Sequence, residues 1–140
     1  MILPDEAATR AAGARLAAVL RGGEAIALVG ELGAGKTTFV AGLVEALGGG
    51  PASSPTFSLL NEYPGGRLIV WHCDLYRIER DRELAELGLD DVIGDPRGVV
   101  IVEWADKFAV LPADHTRIEL RHADGARELV ASGPLSATFP

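Results

Sequence analysis

Ala25-Ile26-Ala27-Leu28-Val29-Gly30-Glu31-Leu32-Gly33-Ala34-Gly35-Lys36-Thr37 joins a short apolar run to a glycine-rich turn and then to Lys-Thr. The run from Ala25 to Val29 is short and bounded by glycines, which reads as a buried strand. After the turn, Phe39, Val40, Leu43, Val44 and Leu47 recur at helical spacing, and Gly48-Gly49-Gly50 close the pattern. Gly30 to Thr37 match G-x4-G-K-[ST] in full. In this composition such a match arises by chance in roughly 0.2% of chains, and the motif also sits between a strand and a helix, as its mechanism requires.

The residue types have a chemical reason. Glycines let successive backbone N–H groups turn inward around a phosphate without a Cβ clash. The helix start adds its partial positive charge. Lys36 is placed to reach β- and γ-phosphates, and the Thr37 hydroxyl to take a position on Mg²⁺. A turn that merely opened a helix would not need Lys-Thr at that register. No Asn-Lys-x-Asp guanine signature occurs, which favours ATP over GTP.

Upstream, Asp5 can cap a helix running to about Leu20, with Ala8, Ala12, Leu16 and Val19 on one face. Downstream, Phe57 to Tyr63 and Arg67 to Asp74 flank Pro64-Gly65-Gly66 and read as a hairpin. Glu79 to Leu87 reads as a short helix with Leu84 and Leu87 inward, and Val99 to Val102 as a central strand. Thr116 to His122 and Arg127 to Ala131 flank Asp124-Gly125 and read as a second hairpin. Together these predict an α/β fold: a small P-loop NTPase with a mostly parallel central sheet, helices on both faces and antiparallel hairpin additions. At 140 residues the chain is expected to be one domain, 1–140.

Two apolar runs end in an acid, Asp74 and Glu103. Both suit the carboxyl edge of a sheet, where ligands bind in open α/β folds. Asp74 has the usual type of a Walker B residue, and Glu103 could reach Mg²⁺ directly or through water. Lys36, Asp74 and Glu103 are therefore the candidate catalytic groups. His72 reads as a packed strand histidine rather than a general base.

Composition narrows the partners. With 13 Lys+Arg against 20 Asp+Glu the net charge is −7, a poor footprint for DNA or for direct binding of RNA. Cys73 is alone, which excludes an internal disulfide and reads as a small core residue. No basic leader and no apolar run of membrane-spanning length occur, so a cytoplasmic protein is expected.

Four segments carry a resemblance to a known family. They are Gly30 to Phe39, Ser54-Pro55-Thr56-Phe57, His72-Cys73-Asp74-Leu75-Tyr76-Arg77 and Val102-Glu103-Trp104. In that order and spacing the chain resembles the bacterial TsaE (YjeE-like) ATPases of tRNA threonylcarbamoyladenosine synthesis. The resemblance implies that Gly33, Ala34, Gly35, Lys36, Thr37 and Thr38 cradle ATP, with Thr37 and Glu103 as Mg²⁺ ligands. It implies that Thr9 and Arg127 touch the nucleotide. Ser54 and Thr56 would lie on one switch, and Asp74, Tyr76 and Arg77 on a second. Trp104 is open between a docking surface, a reporter of the change and a strand-end aromatic. Cys73 and Ala105 depart from the family's common aromatic and Pro. The implied partners are TsaD and TsaB, with tRNA reached only through them.

Two other functions fit the motif. A small P-loop metabolite kinase would need a lid, for which Arg77, Arg80 and Arg82 are clustered, although a charged helix start explains them as well. A nucleotide-gated binding module would bind ATP and a partner without turnover.

Overall fold

The computed structural model describes residues 1–51 and 60–140. The expected switch residues Ser54 and Thr56, and the start of the strand expected from Phe57, lie outside the described residues. All seven described strands form one sheet, in the order β1 (Ile2–Leu3), β7 (Ala126–Ser132), β6 (Thr116–Ala123), β2 (Ala25–Gly30), β5 (Gly98–Glu103), β4 (Ile69–Asp74), β3 (Leu60–Tyr63). The middle four, β6, β2, β5 and β4, pair in parallel, and β1, β7 and β3 are antiparallel additions. That is the predicted architecture. β5 is buried along its whole length, as its unbroken aliphatic run requires of a central parallel strand. β6 and β7 join through Asp124 and Gly125 at φ 45° and 81°. Two positive φ values in a two-residue loop define the hairpin turn whose twist suits the flanking strands.

Strand alternation sends side chains to two cores. On one face, α1 (Glu6–Ala17) and α2 (Lys36–Ala46) cover Ile26, Leu28, Ile101, Ile118 and Leu120. On the other, α3 (Asp81–Glu86) and α4 (Leu89–Val92) cover Trp71, Cys73, Val100 and Val102, with Leu84 and Leu87 packed inward. Helices thus lie on both faces, and α4 is an addition to the expected elements.

Asp5 caps α1 by accepting from the Ala8 N–H at 2.8 Å, which satisfies a donor that a helix start leaves unpaired. The helix is shorter than its apolar pattern suggested. It ends at Ala17, and the Val19 N–H reaches back three residues to the Leu16 carbonyl. This tighter turn carries Val19 off the expected face, leaving it 39% exposed, while Leu20 fills the core.

Cys73 is fully buried, and burial, with Asp74 and Glu103 nearby, pushes its thiol up to about 12. Native protein at pH 8.5 should therefore resist a thiol reagent that labels the urea-unfolded chain rapidly. The raised value also has a definite sign for stability. The unfolded thiol ionises near 9 and the folded one near 12, so this contribution is complete below pH 9 and fades as pH rises towards 12. Cys73→Ala should flatten the alkaline loss of stability in a urea titration series; an unchanged pH profile contradicts it.

Candidate functional site

The site is built where β2, β4 and β5 end. β2 runs into the glycine-rich turn, and α2 begins directly after it. Gly35, before α2, has φ 103°, a left-handed conformation that a side chain would strain. A Cβ there would also stand 3.3 Å from Thr9 Cγ2. α2 begins without the side-chain cap that Asp5 gives α1. Its first N–H groups thus suit an anion, as the sequence pattern requires.

Lys36, the first residue of α2, folds back along the loop. Its ammonium donates to the Gly30 carbonyl at 2.7 Å and pairs with Glu103 Oε1 at 3.2 Å. Both side chains are largely buried, at 14% and 10% exposure. The other Glu103 oxygen, Oε2, lies 2.6 Å from His72 Nε2. Burial pushes the Glu103 carboxyl up, but the bonds and charges of His72 and Lys36 outweigh it, and the group sits below the usual range. Glu103 is an ionised, partnered carboxylate. An ionised carboxylate only accepts, so His72 Nε2 carries the hydrogen.

The sequence reading passed over His72. Nothing in a single strand tells that β4 lies beside β5 with Asp74 opposite Glu103 and His72 opposite Ile101. Only that register brings the imidazole to the carboxylate. The signal present was a polar residue two positions before a strand-end acid, hence on the same face of the strand.

Asp74 stands next to Glu103 across the sheet but is exposed, and its Oδ1 accepts from the Tyr76 N–H at 2.9 Å. Of the two acids, Glu103 is the one that meets Lys36. Arg77 is exposed. Trp104 has φ 59° and ψ 33°, a strained conformation for a bulky residue and one that clusters at functional sites. Its ring lies 6.0 Å from the Lys36 ammonium and 5.1 Å from the Tyr76 ring, and it is 45% exposed. Lys107, after it, donates to the Tyr76 carbonyl at 2.8 Å. Lys36 and Trp104 open onto a pocket of about 740 Å³ against β6.

Thr9, Gly33, Gly35, Thr38 and Arg127 line a second pocket of about 230 Å³. Arg127 donates to the Gly33 carbonyl at 3.0 Å, which ties β7 to the loop. Ala34, within the loop, is fully buried in the core. Thr37 and His72 share the wall of a third pocket of about 310 Å³, between α2 and β3. Thr9, Gly33, Gly35, Thr38 and Arg127 are thus gathered at one pocket, while Thr37 meets His72 at another and His72 in turn meets Glu103.

The family described as "Threonylcarbamoyl adenosine biosynthesis protein TsaE" matches residues 3–129. The chain belongs to the TsaE family. It is 36% identical over 143 residues to the tRNA threonylcarbamoyladenosine biosynthesis protein TsaE of Nostoc, covering 99% of this chain and 88% of the relative. It is 40% identical over 129 residues to the protein of the same name from Bacillus subtilis, covering 90% and 78%. The crystal structure of YdiB from Bacillus subtilis superposes with a TM-score of 0.75 at 33% identity, covering 92% of this chain and 80% of that one. TsaE proteins have a P-loop NTPase fold. Among the described residues no helix is long and apolar enough to cross a membrane.

Proposed function

We propose that this protein binds ATP with Mg²⁺, hydrolyses it, and through a TsaD–TsaB complex serves the threonylcarbamoyl modification of adenosine 37 in tRNA. The observation that carries the reading is the uncapped start of α2, with Lys36 and the buried Glu103 carboxylate 3.2 Å apart beside it. The donor set fits a magnesium nucleotide. Among the described residues no group of three or more His, Cys, Asp and Glu could hold a metal ion. Mg²⁺ habitually takes one or two carboxylates and completes its shell with phosphate and water.

In this reading the loop N–H groups and the α2 start bind the phosphates. Lys36 exchanges Glu103 for phosphate oxygens, and Thr37 and Glu103 supply oxygen donors to the cation. Thr9, Thr38 and Arg127 border the rest of the nucleotide. Bound magnesium neutralises charge on the transferring phosphate. The net charge of −7 suits a protein that reaches tRNA only through partners, and we expect it to act in the cytoplasm.

Glu103→Gln tests the metal role. The amide keeps the shape and removes the charge that holds the cation. Mg²⁺-dependent hydrolysis should fall about 100-fold, with nucleotide affinity changed much less. Wild-type turnover in the variant would move the metal role to Asp74. The 740 Å³ pocket beside Lys36 favours a second reading, a metabolite kinase with its acceptor there. Release of free phosphate with no phosphorylated metabolite separates the two.

A further inference from the structure

Resting on that reading, we propose that His72 is the positioning residue of the metal site: its Nε2–H holds Glu103 Oε2 and leaves Oε1 facing Lys36 and a cation beside Thr37. The terminal torsion of a glutamate is broad and not held by a rotamer well. A carboxylate that must present one oxygen therefore needs the other one held. Lys36 cannot do this through catalysis, because its ammonium is a freely rotating donor that is also required by phosphate. His72 is fixed on β4, and its bond to Oε2 is 2.6 Å.

The surroundings make the bond effective. His72 is 15% exposed and Glu103 10%, so little water competes for either group. Strand alternation puts His72 on the face of Val70, which packs under α1 and α2. His72 therefore shares a pocket wall with Thr37. Outer partners of this kind orient metal-binding carboxylates, and their removal typically weakens metal binding about 10–100-fold.

The test compares His72→Ala and His72→Gln with the wild type by calorimetry, titrating Mg²⁺ into protein saturated with ADP and measuring ADP affinity in EDTA. The alanine variant should lose about 10–100-fold in Mg²⁺ affinity and keep its metal-free ADP affinity. The glutamine variant, with an amide N–H of similar reach, should recover most of the loss. In a Glu103→Gln background, His72→Ala should add little. Unchanged Mg²⁺ affinity in the alanine variant, an equal loss with and without metal, or additivity with Glu103→Gln overturns the role. If His72→Ala does not fold, the wild-type imidazole Nε2–H resonance decides. It should shift when Mg²⁺ joins the ADP-bound protein and not with ADP alone; no shift overturns the role. A wild-type protein without metal-dependent nucleotide binding would instead overturn the proposed function, and this role with it.

Discussion

Lys36→Ala should abolish ATP binding while leaving the fold intact. The ammonium is held between the Gly30 carbonyl and Glu103 rather than in a core, and only 14% of the side chain is exposed. Its removal leaves Glu103 still bonded to His72, so the loss of stability should be small. The loss of binding is larger. A charge-assisted contact to phosphate contributes about 1.5–3 kcal/mol, and the contacts made through the cation weaken with it. Calorimetry should find ATP affinity at least about 100-fold lower, with the thermal transition within a few degrees of wild type. Unchanged affinity would remove the phosphate-loop assignment.

The largest effect on stability is expected at the crossing of α1 and α2. A Cβ at Gly42 would lie 2.1 Å from the Arg10 carbonyl oxygen, and one at Gly13 would lie 2.1 Å from the Phe39 carbonyl oxygen. Each glycine thus meets the backbone of the other helix, and a backbone cannot swing aside as a side chain can. Gly42→Ala gains about 1 kcal/mol of helix propensity but must push the helices apart. We expect a net loss of about 2–3 kcal/mol, a drop of roughly 10 °C in a thermal melt. Because α2 carries Lys36 and Thr37 at its start, ATP affinity should fall as well. A variant as stable as wild type contradicts the close crossing.

The sequence pattern made the sheet legible because its central strands are unbroken aliphatic runs and its turns are glycine-rich. Helix ends were less legible. α1 stops at Ala17 because the chain tightens into a three-residue turn, which apolar spacing does not encode. The helix expected over Glu79 to Leu87 is shorter, Asp81–Glu86, and α4, which the spacing did not suggest, follows it after Gly88 at φ 77°. In the site, the motif marked Lys36 and Thr37 because phosphate and cation chemistry asks for those residue types directly after a glycine-rich turn. Glu103 was visible as a strand-end acid. Its partnership with His72 was not, because it depends on which strands are neighbours. The pairing of Trp104 with Tyr76 was hidden for the same reason.

A P-loop binds nucleotide well and turns it over poorly when no group positions the attacking water, and this chain contains no glutamine to serve as one. Asp74, Tyr76 and Trp104 stand at the exposed rim of the site, where a partner could complete it. The most direct measurement is steady-state release of phosphate from ATP in Mg²⁺, by the protein alone and with TsaD–TsaB added. We predict slow release alone and at least about tenfold faster release with the complex, abolished in both by Lys36→Ala. Equal rates in the two conditions would contradict partner gating and point to a self-contained ATPase or kinase.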